Sequence, residues 1–145
     1  MGQIVGPALA AALDLLALEL GNRAEVPVLL EIEAELAAAT LPRAVDLVLY
    51  RAAQEALNNC LRHGHPTIVR VELRREAHLL YLSVADDGRG FVVPPHLDRP
   101  AMAGHLGLAG LSTRVQRAGG RLLITSTPGT GTLVQVELPL EEVAA

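Results

Sequence analysis

Residues 50–64 read YRAAQEALNNCLRHG, and the reading of this stretch decides the fold. Taken as one helix, it puts Val48, Ala52, Glu55, Asn59 and Arg62 at steps of three and four residues, along a single stripe. The stripe begins apolar and turns polar halfway. A helix that only turned its polar side to water would keep acids and amides off the buried stripe. These groups are therefore expected to face a cavity that takes a polar ligand.

Working outward, Thr40-Leu41-Pro42 starts this helix, with proline tolerated in the first turn, and Gly64 with Pro66 ends it. Before it, residues 26–36 alternate strictly, with Val28, Leu30, Ile32, Ala34 and Leu36 on one face and Glu31, Glu33 and Glu35 on the other, which predicts a strand. Residues 7–21 predict a Leu/Ala-rich helix with a stop at Gly21-Asn22; being apolar nearly all round, it reads as half of an interface. After the central helix, residues 67–75 alternate again and pair with residues 79–85 as a hairpin. Residues 91–104 carry three prolines and no period, which predicts a loop long enough for a lid. A helix over 106–118 ends at Gly119-Gly120, and strands at 121–127 and 132–138 are joined by Pro128-Gly129-Thr130-Gly131. The order predicts an α+β fold, a two-layer α/β sandwich whose mixed, mostly antiparallel sheet carries helices on one face.

Composition narrows the chemistry. At 145 residues, half of them apolar, the chain is expected to build a single core. Two Tyr, one Phe and no Trp leave almost no platform for stacking bases, so no nucleic-acid partner is expected. Twelve basic against sixteen acidic residues give a net charge of −4, with no run that would seek a polyanion or a membrane surface. All the basic side chains are Arg, which excludes any mechanism that needs a lysine. The lone Cys60 allows neither an internal disulfide nor a cysteine-rich zinc site, and the cytoplasm is the default compartment. The apolar run at 8–20 is broken by Asp14 and Glu19 and is shorter than the ~20 residues that span a bilayer.

Three further stretches are candidates to close the cavity. In the strand before Asp86-Asp87-Gly88-Arg89-Gly90, counting by two puts Leu80, Leu82, Val84 and Asp86 on the core side, while Asp87 is expected to face water. A carboxylate ending an apolar row needs donors, and an exocyclic amine of a ligand can supply one. Gly88 and Gly90 allow a tight turn and the close approach of a flat ligand; taken alone, the same residues also suit a polar turn closing a hairpin. The glycine-rich run Gly104-His105-Leu106-Gly107-Leu108 leads into a helix, where exposed amides suit phosphate, although glycines there also serve plain packing. Thr132, in Gly129-Thr130-Gly131-Thr132, shares its face with Val134, Val136 and Leu138, as a ligand contact or as a satisfied buried hydroxyl. Asn59 offers an uncharged oxygen suited to Mg²⁺, which needs few protein ligands, and His63 follows one turn later; a core hydrogen bond or a solvated face would account for either alone.

Together the four stretches resemble the catalytic ATP-binding domain of bacterial sensor histidine kinases, within the wider family of type II topoisomerase and chaperone ATPases that share the Bergerat fold. The resemblance runs over residues 26–140: QEALNNCLRHG resembles the N box, DDGRG the D-x-G-x-G box, GHLGLAGL with Arg114 the second glycine box, and GTGT the last. The form G-H-x-G-L-x-G-L-x-x-R looks most like the subclass whose response regulators are of the NarL type. The resemblance implies ATP and Mg²⁺ as cofactors. It implies that Asp86 accepts a hydrogen bond from the adenine amine with Thr132 supporting through water, that Asn59 coordinates Mg²⁺, and that Gly88 and Gly90 shape the nucleotide pocket. It implies that His63 and the backbone of Gly104, His105, Leu106, Gly107 and Leu108 hold the phosphates, and that Glu55, beside Asn59, takes the acidic position of the catalytic pair.

Residues 1–22 are expected to form a helix at the end of a dimerisation or linker region, and residues 23–145 the catalytic domain. The phosphate-accepting histidine of a complete kinase stands N-terminal to this domain and precedes an acidic residue. None of the histidines at 63, 65, 78, 96 and 105 fits that description, so the chain is expected to bind ATP without labelling itself. The partners implied are a histidine-bearing dimerisation domain of the same full-length kinase, itself expected to be cytoplasmic or membrane-anchored, and a downstream response regulator. The chain alone is expected to be monomeric or weakly self-associating. Two rivals share the boxes: a serine kinase of the anti-sigma type, and a sensor that binds nucleotide without transferring phosphate.

Overall fold

A computed structural model describes residues 8–37, 41–92 and 108–140. Among these residues five strands form one mixed sheet in the order β1-β2-β3-β5-β4: β1 (Val28–Ile32), β2 (Val69–Glu76), β3 (Leu79–Asp86), β4 (Arg121–Thr127) and β5 (Gly131–Pro139). Only β1 and β2 run parallel; the other pairs are antiparallel. The predicted alternation holds, because Val69, Val71, Leu73, Leu80, Leu82, Val84, Val134, Val136 and Leu138 are all buried. They lie beneath the helices α1 (Ala8–Ala24), α3 (Arg43–Asn59) and α4 (Leu108–Arg117), whose buried residues share the same core. The architecture is the expected two-layer sandwich. On the other side of the sheet, Arg74 lies over the Tyr81 ring at 4.5 Å, so this arginine packs on an aromatic face as well as meeting Glu72 and Glu76.

Several boundaries differ from expectation. The strand predicted over 26–36 stops at Ile32, and Ala34–Ala37 form a short helix, α2. The parallel register ends at the pair Ile32 and Leu73, after which Glu33 donates its N–H to the Leu73 carbonyl at 3.0 Å. The Glu33 carbonyl then accepts from Leu36 and Ala37, and Ala-Glu-Leu-Ala are all strong helix formers, so the chain curls away from β2, which itself runs on to Glu76. Leu36 is buried all the same, by a helical route.

Helix α1 runs past Gly21 to Ala24; the chain turns where Glu25 takes a left-handed conformation and Val26 donates to the Gly21 carbonyl at 3.0 Å. Its buried side, Leu9, Leu13, Leu16 and Ala17, packs within this chain, while Leu15 and Leu18 are exposed. The stretch expected as one helix to Gly64 is α-helical to Asn59 and then widens into a π-helical turn, Cys60–Gly64, with His65 left-handed after it. At the end of α4, Gly119 takes positive φ, and the Gly119 and Gly120 N–H groups reach back to Gln116 and Val115, the paired bonds of a Schellman cap. Of the expected lid, residues 93–104 lie outside the described residues, as do 106 and 107 of the expected last helix.

Candidate nucleotide site

Between α3 with its π-helical turn and the ends of β3 and β5 lies a cavity of about 390 Å³. The helix contributes Ala56, Asn59, Cys60, His63 and Gly64; β3 and the loop after it contribute Val84, Asp86, Arg89, Gly90 and Phe91; β5 contributes Thr132 and Val134. The lining stripe on the helix therefore falls at 56, 59, 60, 63 and 64. Arg62, expected on the stripe, is exposed and absent from the lining, because the wall lies one residue further round and the π-helical turn carries Arg62 outward.

Asp86 ends β3 directly opposite Thr132 of β5, so the antiparallel register itself brings the two together. The carboxylate is half-buried, and its Oδ1 accepts from the Gly88 N–H at 2.8 Å. Burial pushes its pKa up and the charge of neighbouring Asp87 adds to this, while the N–H groups of Gly88 and Thr132 work the other way. Asp87 points outward as expected, but it is tied down: Oδ1 accepts from the Thr67 N–H at 2.8 Å and from the Ile68 N–H, and Oδ2 accepts from the Thr67 hydroxyl. The Thr67 hydroxyl and these N–H groups hold its pKa below the usual carboxylate range.

The loop between is clamped from both sides. The Arg89 N–H donates to the Gly64 carbonyl at 2.7 Å, and the Arg89 carbonyl accepts from the Gly129 N–H at 2.6 Å. Gly88 is buried against the Gly64 backbone, and Gly90 has a φ of +66° with the Thr127 carbonyl where a Cβ would stand. A larger residue at either place would strike main chain, so these glycines serve the approach of backbone to backbone. Gly90 also lines the cavity, whereas Gly88 does not.

Asn59 faces the cavity with its buried Nδ2 unpaired. His63 is exposed at the wall. Glu55 is half-buried one turn before Asn59 and does not line the cavity. Gly104, His105, Leu106 and Gly107 lie outside the described residues, and Leu108 is the first residue of α4. Among the described residues no group of three or more His, Cys, Asp or Glu is placed to hold a metal ion.

Four site residues escaped the sequence reading. Cys60 lines the wall; its buried thiol donates to the Leu57 carbonyl, and burial pushes its pKa up to about 12, so it stays protonated. Arg89 adds a basic side chain, and Phe91, the only phenylalanine, adds an apolar face. Ser126 of β4 binds the Phe91 N–H at 2.9 Å and meets the Thr132 hydroxyl at 2.8 Å. Only Ser126 was marked by a sequence signal: counting by two from Leu122 and Ile124 puts it on the inner face of its strand.

The arrangement offers a buried-side carboxylate beside a hydroxyl, apolar walls from Val84, Val134 and Phe91, and an amide with two basic side chains. It suits a ligand that joins a flat amine-bearing ring to anionic groups.

Comparison with known proteins places the chain in a family. The family of histidine kinase-, DNA gyrase B-, and HSP90-like ATPases matches residues 44–142. The chain is 35% identical over 100 residues to the sensor protein VraS of Staphylococcus haemolyticus (strain JCSC1435), covering 69% of this chain and 27% of that protein. It is 36% identical over 94 residues to the sensor histidine kinase YhcY of Bacillus subtilis (strain 168), covering 65% of this chain and 24% of that one. It thus spans about a quarter of the length of these curated relatives. Among solved structures, the histidine kinase domain from the Erythrobacter litoralis EL346 blue-light activated histidine kinase superposes with a TM-score of 0.75 at 25% identity, over 97% of this chain and 66% of that one. The Acinetobacter baumannii histidine kinase AdeS superposes at 0.70 with 14% identity, over 97% of this chain and 68% of that one, a likeness of fold.

Proposed function

Since the chain belongs to the family of histidine kinase-, DNA gyrase B-, and HSP90-like ATPases, we propose that it is the ATP-binding catalytic domain of a two-component sensor histidine kinase and passes the γ-phosphoryl group of ATP to a histidine on a separate dimerisation domain. The observation that carries the reading is one cavity lined together by Asn59, His63, Asp86, Gly90 and Thr132, residues drawn from three separated motifs. In this reading Asp86 accepts a hydrogen bond from the adenine amine and Thr132 supports the base through water. Val84, Val134 and Phe91 exclude water from the ring faces.

At the phosphate end, His63 and the backbone of Gly104 to Leu108 hold the anion, with Gly88 and Gly90 keeping the loop close. Asn59 is the residue offered to Mg²⁺. A half-turn of its carboxamide exchanges the unpaired buried Nδ2 for Oδ1, which a cation would satisfy. A single such donor fits a metal that keeps several waters and takes its other ligands from phosphate. When bound, Mg²⁺ supplies charge neutralisation on the phosphates. Glu55 is assigned to the catalytic pair with Asn59, acting by orientation from the neighbouring turn.

Transfer is in line: the acceptor imidazole nitrogen forms a bond to the γ-phosphorus as the bond to the bridging oxygen breaks, and ADP departs. What the chain supplies is position and electrostatics. Residues 1–22 would form the junction with the dimerisation region, and residues 23–145 the catalytic domain. The G-H-x-G-L-x-G-L-x-x-R run supports a downstream regulator of the NarL type. ATP as phosphate donor puts the domain in the cytoplasm; no helix among the described residues is long and apolar enough to cross a membrane.

The test mixes the chain with Mg-ATP and a separately produced histidine-bearing dimerisation domain. Acid-labile phosphate is expected on that histidine and none on the chain alone. Phosphate on serine of a partner, or on nothing, would overturn the assignment in favour of an anti-sigma-type kinase or a non-transferring sensor respectively.

A further inference from the structure

Ser126 stands at a junction of three segments. Its Oγ accepts from the Phe91 N–H at 2.9 Å, lies 3.1 Å from the Gly131 carbonyl and lies 2.8 Å from the Thr132 hydroxyl. A carbonyl can only accept, so the Gly131 contact uses the one proton that serine has. The Thr132 contact is then a hydrogen bond only if Thr132 donates. No other placement of the two hydroxyl protons satisfies all three contacts. With its proton directed at Ser126, the Thr132 hydroxyl turns only lone pairs toward the cavity that it lines. Asp86, its partner across the β3–β5 ladder, adds a carboxylate. The side chains at this end of the cavity therefore present acceptors side by side, which suits a ligand group rich in N–H and repels a carbonyl oxygen at the same place.

We propose that Ser126 is a positioning residue for base selection: by taking the Thr132 proton it fixes that hydroxyl as an acceptor, and so favours a 6-amino purine over a 6-oxo purine. The inference rests on the base-pocket reading given above and adds to it a residue that touches no ligand itself. Without the Ser126 oxygen, the Thr132 proton is released to turn into the cavity, where it can donate to the bridging water and leave that water a proton for a carbonyl.

The test measures binding of ADP and of inosine diphosphate to the full chain by titration calorimetry, and reads the ratio of the two affinities. A general loosening of the loop weakens both ligands and leaves the ratio unmoved. Ser126→Ala is expected to lower the ADP preference about fivefold, the scale of one hydrogen bond. Ser126→Cys, close to serine in size but a weak acceptor, is expected to lower it in the same direction. Ser126→Thr keeps the hydroxyl and is expected to keep the wild-type ratio. An unchanged ratio in the Ala and Cys variants overturns the inference, as does a Thr variant that falls with them. Asp86→Asn separates the two levels. If wild type binds no ADP, or Asp86→Asn binds it undiminished, the base-pocket reading fails and takes this inference with it. If both behave as expected while the Ser126 ratios stay fixed, only the role of Ser126 is lost.

Discussion

Two adjacent aspartates, Asp86 and Asp87, do opposite work because the strand alternates. Asp86 is turned inward and its pKa is raised, chiefly by burial, so the folded chain holds its proton more tightly than the unfolded chain does. Its ionised form therefore costs stability at neutral pH, and that cost is relieved as pH falls through the raised pKa. Ligand binding runs the other way, since an acceptor is needed. Asp86→Asn is expected to melt no lower than wild type without ligand at neutral pH, while its ADP affinity, read by calorimetry, falls about 10- to 100-fold, as for a hydrogen bond to a charged group. In wild type, ADP affinity should begin to fall on acidification at a higher pH than an ordinary aspartate would give. Asp87 has a lowered pKa, set first by the Thr67 hydroxyl and then by the N–H groups of Thr67 and Ile68. Its stabilising contribution is complete above the unfolded pKa and is lost as pH falls through the folded one. Melting curves of Asp87→Ala against wild type should show a gap at neutral pH that closes in acid. A gap that does not change with pH would mean that the charge plays no part.

The element that shapes the cavity is the loop from Asp87 to Phe91, held between the π-helical turn and the β4–β5 connection by the bonds from Arg89 to Gly64 and from Gly129 to Arg89. Gly90 sits at positive φ with no room for a Cβ. Gly90→Ala is expected to cost about 1–3 kcal/mol in urea unfolding, with ADP affinity falling as the loop lifts away from Thr127. Full stability in that variant would show that the loop has an easy alternative path. The helix beside it shows how far periodicity reaches. Steps of three and four placed Asn59 on the cavity, but the wall also takes Ala56, Cys60, His63 and Gly64 and leaves out Arg62, because which flank of a stripe faces the sheet depends on how the helix is rolled against it. The predicted strand over 26–36 failed for a related reason. Alternating Glu with Leu, Ile and Ala satisfies a strand by period, yet Ala-Glu-Leu-Ala are also strong helix formers, and they leave the ladder after Ile32 although β2 runs on to Glu76.

At the scale of the whole molecule, the sheet and the helices among the described residues share one core, to which α1 contributes Leu9, Leu13 and Leu16 and α2 contributes Leu36. The helix read from sequence as half of an interface thus has an intramolecular partner for one side and keeps Leu15 and Leu18 outward. Leu13 is only 2% exposed, so Leu13→Ala should destabilise the chain by about 2–5 kcal/mol in urea unfolding; a change near zero would mean that α1 is dispensable to the core. By itself the sequence determined the alternating strands of the sheet, though not where β1 stops, the inward row ending at Asp86, the position of Thr132 on the same side, and the four motifs whose resemblance the family match bears out. Alternation and motif spacing are local properties, and a strand buried on one face has to obey them. Only the tertiary structure decided that Asp86 stands opposite Thr132, that Ser126 and Phe91 meet beside them, and that the glycines of the loop answer to Gly64 and Thr127. Those facts depend on register and on the order of strands. Both are set by how the two layers bury their apolar faces together, and neither is written in the spacing of any one segment.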